Sequence, residues 1–415
     1  MTSTGGAIQQ LIQTSEEYQD QFLTGYDPKT DHNKPKHNFV KQNYRKYENY
    51  AIERIPIYST DLVDFGRQIT FKIKKSGDFL KKLYFSFTLP KLTVSSGTYA
   101  GWTNALGFAI IDYCYIKINN VELAREYGLH MDMQDELNND PGTRNGDNIL
   151  IGKYQNLGSL KFNAVGESSY QVELPFWFGK NIGSALPFLS LNRNDSIEIV
   201  MKLRPFNECI VYDGTIHPAT VHIQQNSLLT DQIFMTDSAK RKFKGGKHVY
   251  IIKQTQYISD DIAGISKKLD IPFSHPLNQL LFVIREHSSD LNNDWFNYSI
   301  RNVVPHTPVY SLLDRARLLV DSKPRNEYQT ANELSILNSK AYYTNTIDKF
   351  IYTMPFCSDP GSWYPNGTFN FSVPQSKELH LEMTKGIEPS SVHLFGVNFN
   401  FLVIEPGIVR LMYNT

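Results

Sequence analysis

The sequence lacks an excess of charge of one sign, a long apolar run and a cluster of cysteines. Its 42 Lys and Arg residues balance 42 Asp and Glu residues, and this net charge of zero argues against a nucleic-acid-binding protein that relies on phosphate contacts. No run of about 18 apolar residues predicts a transmembrane helix, and the first residues lack the pattern of a signal peptide. The cysteines, Cys114, Cys209 and Cys357, are too widely spaced to predict a disulfide framework or a zinc site, which favours a reducing compartment.

Motifs that mark common enzymes are absent as well. The sequence contains no His-x-His pair for a cupin metal, no Gly-x-Ser-x-Gly elbow, no Walker loop and no dinucleotide-binding fingerprint. Asp132, Asp135 and Glu136 cluster on a short predicted helix, where acid–base chemistry is one interpretation and a solvated helix face is the favoured one. Cys357 is interpreted as a buried, inert thiol. We therefore predict that the protein is not an enzyme and holds no metal or cofactor.

The residues that are abundant favour β-structure. The chain has 24 Tyr and 25 Phe residues, and aromatic residues are enriched in strands. Segments such as RQITFKIKK alternate between apolar and polar residues, and polar turns separate them, which is typical of a sandwich or barrel. A chain of 415 residues predicts two domains. One amphipathic helix interrupts the strands, with Leu129, Met133 and Leu137 spaced by four residues.

Three short matches in the same order relate the two halves of the chain. They are FLKKLYF at 79–85 with PLNQLLF at 276–282, IKINN at 116–120 with LLVDS at 318–322, and LPFWF at 174–178 with MPFCS at 354–358. The separation falls from about 200 residues in the first two pairs to 180 in the third, so a loop differs in length between the halves. The common order of the matches predicts one β-domain that is present twice.

The N-terminal segment has an apolar stripe but no strand pattern. Ile8, Leu11 and Ile12, followed by Tyr18 and Phe22, have the spacing of an amphipathic helix. A polar, basic stretch follows and is interpreted as an extended linker. A segment of this kind must place its apolar stripe on another surface, so we predict that Ile8, Leu11, Ile12 and Phe22 take part in assembly.

A second unusual segment is MPFCSDPGSWYPNGTFNFS, at 354–372. It combines five aromatic residues with five Pro or Gly residues and a single charge, which predicts a stiff corner and not a helix. The favoured interpretation is a corner that packs within its own domain. The alternative is that Trp363 and Tyr364 also contact a neighbouring subunit.

Several longer segments resemble one known family. They are ITFKIKKSGDFLKKLYFSFTLP, NALGFAIIDYCYIKINNVELAREYGLHMDMQDEL, LPFWFGKNIGSALPFLSL, SLLTDQIFMTDSAKRKF, SHPLNQLLFVIRE, DPGSWYPNGTFNFS and FGVNFNFLVIEPG. Their residues and their order are similar to those of the major capsid protein of nucleocytoplasmic large DNA viruses. The resemblance covers nearly the whole chain, and LPFWF and DPGSWYPNGTFNFS are its most specific parts. The loops that decorate the tower in this family look short here, so receptor and glycan contacts are not carried over.

The resemblance implies an all-β fold of two tandem eight-stranded antiparallel jelly rolls, a double jelly roll, with an N-terminal arm and a few short helices in loops. On this basis residues 1–48 are the arm and linker, and residues 49–236 are the first jelly roll. Residues 237–247 are a short helical connector, and residues 248–415 are the second jelly roll.

The resemblance also implies a structural role in the virion. Three chains would form a homotrimer with a pseudo-hexagonal outline, and such capsomers would tile an icosahedral shell assembled in the host cell cytoplasm. The expected partners are neighbouring capsomers, minor capsid proteins and penton proteins, with the inner membrane as a further candidate contact of the N-terminal arm. The resemblance implies no specific nucleic-acid partner.

Two other functions remain open on the sequence alone. The first is a minor capsid paralogue of the same family, which only its copy number in the particle would distinguish from the major protein. The second is a carbohydrate-binding β-sandwich protein, which shares the aromatic content and the fold class. A jelly-roll enzyme is disfavoured because the metal ligands that it needs are missing.

Overall fold

The structure is a computed structural model that describes residues 3–13, 49–154, 163–213, 215–216, 221–243, 246–300, 311–384, 388–405 and 408–413. Tyr18, Phe22 and the whole predicted linker lie outside the described residues. Strands dominate the described chain, as predicted from its aromatic content and alternating patterns.

The first jelly roll is formed by the strands that precede residue 236. They are Tyr50–Ile57 (β1), Gln68–Lys72 (β2), Phe79–Leu89 (β3), Val94–Ser96 (β4), Ala100–Trp102 (β5), Ile111–Ile118 (β6), Val121–Tyr127 (β7), Ser168–Glu173 (β8), Leu186–Pro187 (β9), Ile197–Leu203 (β10), Ile210–Tyr212 (β11), Thr215–Ile216 (β12) and Gln224–Met235 (β13). One sheet has the strand order β1-β13-β3-β8, and the facing sheet has the order β2-β10-β6-β7. Along the chain the main strands alternate between the two sheets, except that β6 and β7 are neighbours in one sheet, and this is the antiparallel jelly-roll topology.

The second jelly roll repeats this arrangement. Its strands are His248–Ile262 (β14), Ser266–Asp270 (β15), Pro276–Glu286 (β16), Leu313–Val320 (β17), Lys323–Pro324 (β18), Gln329–Thr330 (β19), Tyr352–Pro355 (β20), Phe369–Asn370 (β21), Lys377–Met383 (β22), Ser390–Glu405 (β23) and Ile408–Leu411 (β24). The orders β14-β23-β16-β20 and β15-β22-β17-β18 match those of the first jelly roll. The predicted double jelly roll is therefore confirmed.

Short helices lie in the connections between strands. They are Gly6–Gln13 (α1), Leu106–Ala109 (α2), Gly128–Asn138 (α3), Arg144–Ile151 (α4), Asp237–Phe243 (α5), His287–Leu291 (α6) and Asn338–Tyr342 (α7), with a π-helical turn at Glu333–Leu337 and 3-10 turns at Trp177–Gly179, Ile182–Ser184, Phe188–Ser190 and Phe206–Glu208. The helix α3 carries the predicted Leu129, Met133 and Leu137 stripe, and all three residues are buried.

Strand register confirms the internal repeat that the sequence predicts. Tyr84 of β3 and Leu281 of β16 are 197 residues apart, and their pairing partners, Glu173 and Thr353, are 180 residues apart. These are the two separations found in the sequence matches. The loops that follow β6 and β17 also correspond to each other, because each has two residues with positive φ, as a type I′ hairpin turn requires. The residues and their φ values are Asn119 (48°) and Asn120 (67°) after β6, and Asp321 (48°) and Ser322 (63°) after β17.

Each jelly roll encloses its own hydrophobic core between its two sheets. In the first, Phe71 of β2 lies edge-on to Phe85 of β3, with ring centroids 6.1 Å apart. In the second, Phe282 of β16 packs with Tyr352 of β20 at 5.0 Å. The two cores are distinct clusters, but the first extends onto Ile252 of β14 and onto Leu402 and Ile404 of β23, so the second jelly roll packs directly against it.

Candidate functional site

The apolar stripe of α3 lies between the two jelly rolls. The helix follows β7 of the first jelly roll, and Leu129, Met133 and Leu137 pack against the outer face of the second. The residues that they meet there include Leu281 and Val283 of β16 and Phe395 of β23. Because burial of a large aliphatic side chain contributes about 1.5–3 kcal/mol, this helix joins the two sandwiches firmly.

The polar face of α3 is buried too, which corrects the prediction of a solvated face for Asp132, Asp135 and Glu136. Asp132 and Glu136 are almost fully buried. The Lys153 ammonium group lies 2.7 Å from Asp135 and 2.8 Å from Glu136, and the Lys349 ammonium group lies 2.8 Å from Glu136. The prediction was wrong because Lys349 and its jelly roll cover this face, and the helix periodicity alone does not show that.

The charges at this junction perturb one another. Burial alone would raise the pKa of Glu136, but the ammonium groups of Lys349 and Lys153 lower that pKa to about 2. The pKa of Lys153 is raised despite burial, because three carboxylates surround its ammonium group. Tyr298 donates a hydrogen bond of 2.9 Å to Asp132 and closes the cluster from the second jelly roll. The cluster is therefore a buried ion-pair network that spans both jelly rolls.

A second contact between the jelly rolls centres on Trp295. The guanidinium groups of Arg204 and Arg285 both lie over its ring, 3.9 Å and 5.1 Å from the ring centroid. Its indole N–H donates to the Glu208 carbonyl at 2.8 Å. Arg204 and Glu208 belong to the first jelly roll, whereas Trp295 and Arg285 belong to the second. Sequence reasoning missed this site because no local pattern relates Trp295 to Arg204, which lies in the other jelly roll.

The N-terminal helix α1 packs on the end of the first jelly roll. Ala7 and Leu11 contact Ala51 and Ile55 of β1 and Phe234 of β13. The adjacent side of the helix is exposed at Ile8 and Ile12. The predicted assembly residues Leu11, Ile8 and Ile12 are therefore divided between an internal contact and an open surface.

Glu53 of β1 fixes the start of this helix. Its carboxylate accepts hydrogen bonds from the Ser3 hydroxyl at 2.7 Å and from the Thr4 hydroxyl at 2.8 Å. Burial opposes ionisation of Glu53, but the hydrogen bonds from Ser3 and Thr4 outweigh it and lower the pKa of the carboxyl group. The docked helix thus depends on a carboxylate of the strand below it.

The aromatic corner at 354–372 has a buried part and an exposed part. Phe356, Phe369 and Phe371 form a cluster with ring centroids 5.1–5.5 Å apart, and Phe371 is fully buried. Trp363 and Tyr364 meet edge-on at 5.4 Å and are about half exposed. The Phe cluster packs within the second jelly roll, and contact of Trp363 and Tyr364 with a neighbouring subunit stays a prediction.

A small cavity of about 80 Å³ lies beside this corner, between the two jelly rolls. Lys253 of β14 lines it and donates to the Pro360 carbonyl at 2.7 Å. Burial, together with the nearby Lys180, lowers the pKa of Lys253 to about 8. On the other side, a Cβ at Gly361 would lie 2.9 Å from the Asn138 side-chain oxygen, so the corner approaches α3 too closely for a larger residue.

The described thiols and histidines are engaged in structural contacts. Cys114, Cys209 and Cys357 are buried, and burial raises the pKa of Cys209 to about 12. The His393 ring bonds to Tyr257 at 2.8 Å and to Ser391 at 3.1 Å, and His380 bonds to Glu378 at 2.8 Å. Neither histidine is hydrogen-bonded to a thiol. Within the described ranges, no helix is long and apolar enough to cross a membrane.

Two jelly rolls with this topology, joined in one chain, define the class of double jelly-roll capsid proteins. Residues 38–237 match the family model described as the major capsid protein N-terminus, and residues 240–409 match the one described as the large eukaryotic DNA virus major capsid protein. The chain belongs to this family of major capsid proteins of large eukaryotic DNA viruses. Its role is that of a structural component of the virion capsid.

Individual relatives agree with the family match. The chain is 24% identical to the major capsid protein of Phaeocystis pouchetii virus, with 99% of both chains covered. It is 23% identical to that of Pyramimonas orientalis virus, over 99% of this chain and 100% of the relative. A solved structure of the PBCV-1 virus capsid has the same fold, with a TM-score of 0.78 and 19% identity over 91% of this chain and 100% of that one.

Proposed function

We propose that the chain is a major capsid protein that forms homotrimeric, pseudo-hexagonal capsomers, and that these tile an icosahedral shell assembled in the host cell cytoplasm. The observation that carries this proposal is the pair of similar jelly rolls held side by side in one chain. Three chains then present six similar corners, and a closed symmetric ring uses one interface for every copy. The role is structural and not catalytic.

The domain division follows from the same proposal. Residues 49–236 and 248–415 act as the two jelly-roll domains, residues 237–247 connect them and residues 1–48 form the arm and linker. The α3 junction and the Trp295 contact support this use, because a capsomer needs both domains to keep one relative position. Their combined burial and ion pairing favour a single rigid building block.

The solution mass of the purified protein tests the proposed trimer. Light scattering coupled to size exclusion is expected to give about three times 47.7 kDa, or about 143 kDa. Three copies of the duplicated fold close the ring, so intermediate masses should be minor. A stable monomer at micromolar concentration contradicts the proposed capsomer.

The N-terminal arm is proposed to bind neighbouring capsomers, minor capsid proteins or penton proteins, with the inner membrane as a further candidate. Deletion of residues 1–25 is expected to leave the circular dichroism and thermal unfolding of the jelly rolls nearly unchanged but to impair shell assembly. The reason is that the described part of the arm, residues 3–13, packs on β1 and β13 of the first jelly roll, while Ile8 and Ile12 are exposed. The measurement is particle yield by electron microscopy, and an unchanged yield would exclude this role.

Trp363 and Tyr364 are proposed to contact a neighbouring subunit. Both rings are half exposed on a corner that Phe371 and Pro360 anchor from below, so they would bury large area with little loss of side-chain freedom.

A further inference from the structure

The strands β3 and β16 correspond to each other in the internal repeat, but their outer faces are buried to different extents. Every residue of β16 after Pro276 is buried, so both faces of this strand are covered. Its counterpart β3 leaves Lys82, Tyr84 and Ser86 partly exposed on the outer face. Tyr84 occupies the position of Leu281, and Ser86 that of Val283, by the 197-residue separation of the repeat. The outer face of the first jelly roll is therefore open where that of the second is closed.

The cover on the second jelly roll comes from the first. Helix α3 lies in the connection between β7 and β8, and its Leu129, Met133 and Leu137 rest on Leu281, Val283 and Phe395. This contact is heterologous, because a helix of one repeat meets a sheet of the other. This contact uses the helix of the first jelly roll and the sheet of the second. It uses neither the helix of the second jelly roll nor the outer sheet face of the first.

The second jelly roll carries a helical segment in the matching connection. The segment Glu333–Tyr342, which joins the π-helical turn to α7, lies between β19 and β20. Its inner side is buried at Leu334, Ser335 and Ser339. Three of its apolar side chains are exposed, Ile336 by 43%, Leu337 by 58% and Tyr342 by 38%. An anchored helical segment that exposes three apolar side chains has the features of a docking element.

The open face of the first jelly roll offers a matching concave surface. A cavity of about 280 Å³ lies against β3 and β8, and Tyr84, Leu150 and Glu173 are among the residues that line it. Leu150 of α4 is exposed at its edge. The guanidinium group of Arg54 lies over the Tyr84 ring at 4.7 Å and holds the ring in place.

We propose that the segment Glu333–Tyr342 of one copy docks on the outer face of β3 in the first jelly roll of a second copy, repeating between chains the contact that α3 makes within one. Ile336, Leu337 and Tyr342 meet Tyr84, Ser86 and the cavity beside them. The occupant is a second copy of this chain, because the internal duplication supplies both halves of the contact. The inference rests on the proposed trimer, and the head-to-tail contact closes into a ring only if the rotation between copies allows it.

Two single substitutions test the two surfaces of this contact separately. Leu337→Asp puts a charge on the helix, and Ser86→Arg adds bulk and charge to the face; both sites are partly exposed, so the fold should be retained. Each variant alone is expected to lose the trimer, with the mass falling threefold to about 48 kDa. The matched control is Val373→Asp, an exposed apolar residue on neither surface, which should keep the wild-type mass. Circular dichroism confirms folding of each variant.

Mixing the two variants tests the head-to-tail geometry. The intact helix of the Ser86→Arg chain can still bind the intact face of the Leu337→Asp chain, so an equimolar mixture should form a one-to-one dimer of about 95 kDa and nothing larger. If both variants remain trimeric, or if the mixture stays monomeric, this contact is overturned although the wild-type trimer stands. If the wild-type protein is itself monomeric, the proposed trimer fails and this inference fails with it.

Discussion

Replacement of Lys153 by Met is expected to lower the free energy of unfolding by about 3–5 kcal/mol, because it removes one partner from a buried ion cluster. The ammonium group of Lys153 lies within 3.4 Å of Asp132, 2.7 Å of Asp135 and 2.8 Å of Glu136, and its side chain is 9% exposed. Without it, Glu136 keeps Lys349 and Arg144, whose side chains are both more exposed than that of Lys153. Asp132 keeps Lys349 and the hydrogen bond from Tyr298. Urea unfolding monitored by tryptophan fluorescence measures the loss.

Lys267→Met is the matched control for this substitution. The ammonium group of Lys267 lies 2.6 Å from Asp260, but that pair is on the surface, with the Asp260 side chain 46% exposed. Exposed pairs contribute at most about 1 kcal/mol, so the control should change stability little. Equal losses for the two variants would show that the cluster at α3 is no stronger than a surface pair.

The sequence predicted the architecture well because the chain contains the same fold twice. The three matched segments lie on β3 and β16, at the ends of β6 and β17, and at or just after the paired strands β8 and β20. Even the change in separation from 197 to 180 residues appears in the register, at Glu173 and Thr353. Strand alternation and two-residue turns are local properties, and local properties can be read from a sequence.

The junction could not be predicted in the same way. The spacing of Leu129, Met133 and Leu137 indicated the helix and its apolar side, but the burial of Asp132 depends on Lys349, which is 217 residues away. A partner so far away in the sequence leaves no periodic pattern near the helix. The acidic face of the helix was therefore predicted to be solvated, as such faces usually are. The contact between Trp295 and Arg204, which are also far apart in the sequence, was missed for the same reason. The residues that hold the jelly rolls together were the ones that sequence patterns could not reveal.

The α3 cluster also predicts a specific sensitivity to acid. Glu136 has a pKa of about 2 in the folded chain, well below its ordinary value of 4.5, because Lys349 and Lys153 outweigh the effect of burial. A carboxyl group with a lowered folded pKa stabilises the protein fully above its unfolded pKa, and this contribution is lost as the pH falls towards the folded pKa. The window is therefore about pH 4.5 down to about pH 2, and the loss is about 3 kcal/mol.

Glu136→Gln isolates this contribution from the general effect of acid on other carboxylates. At pH 7 the variant should be less stable than the wild type in urea unfolding, and the difference should shrink steadily between pH 5 and pH 2.5, because only the wild type gains a proton at this site on unfolding. Glu122→Gln, which affects an exposed pair with Arg125, is the control and should show little change with pH. Parallel curves for the wild type and Glu136→Gln would mean that Glu136 is not held ionised. Convergence of the curves would instead show that the ammonium groups of both jelly rolls act on one carboxylate, and that acid weakens the contact which makes the two sandwiches one building block.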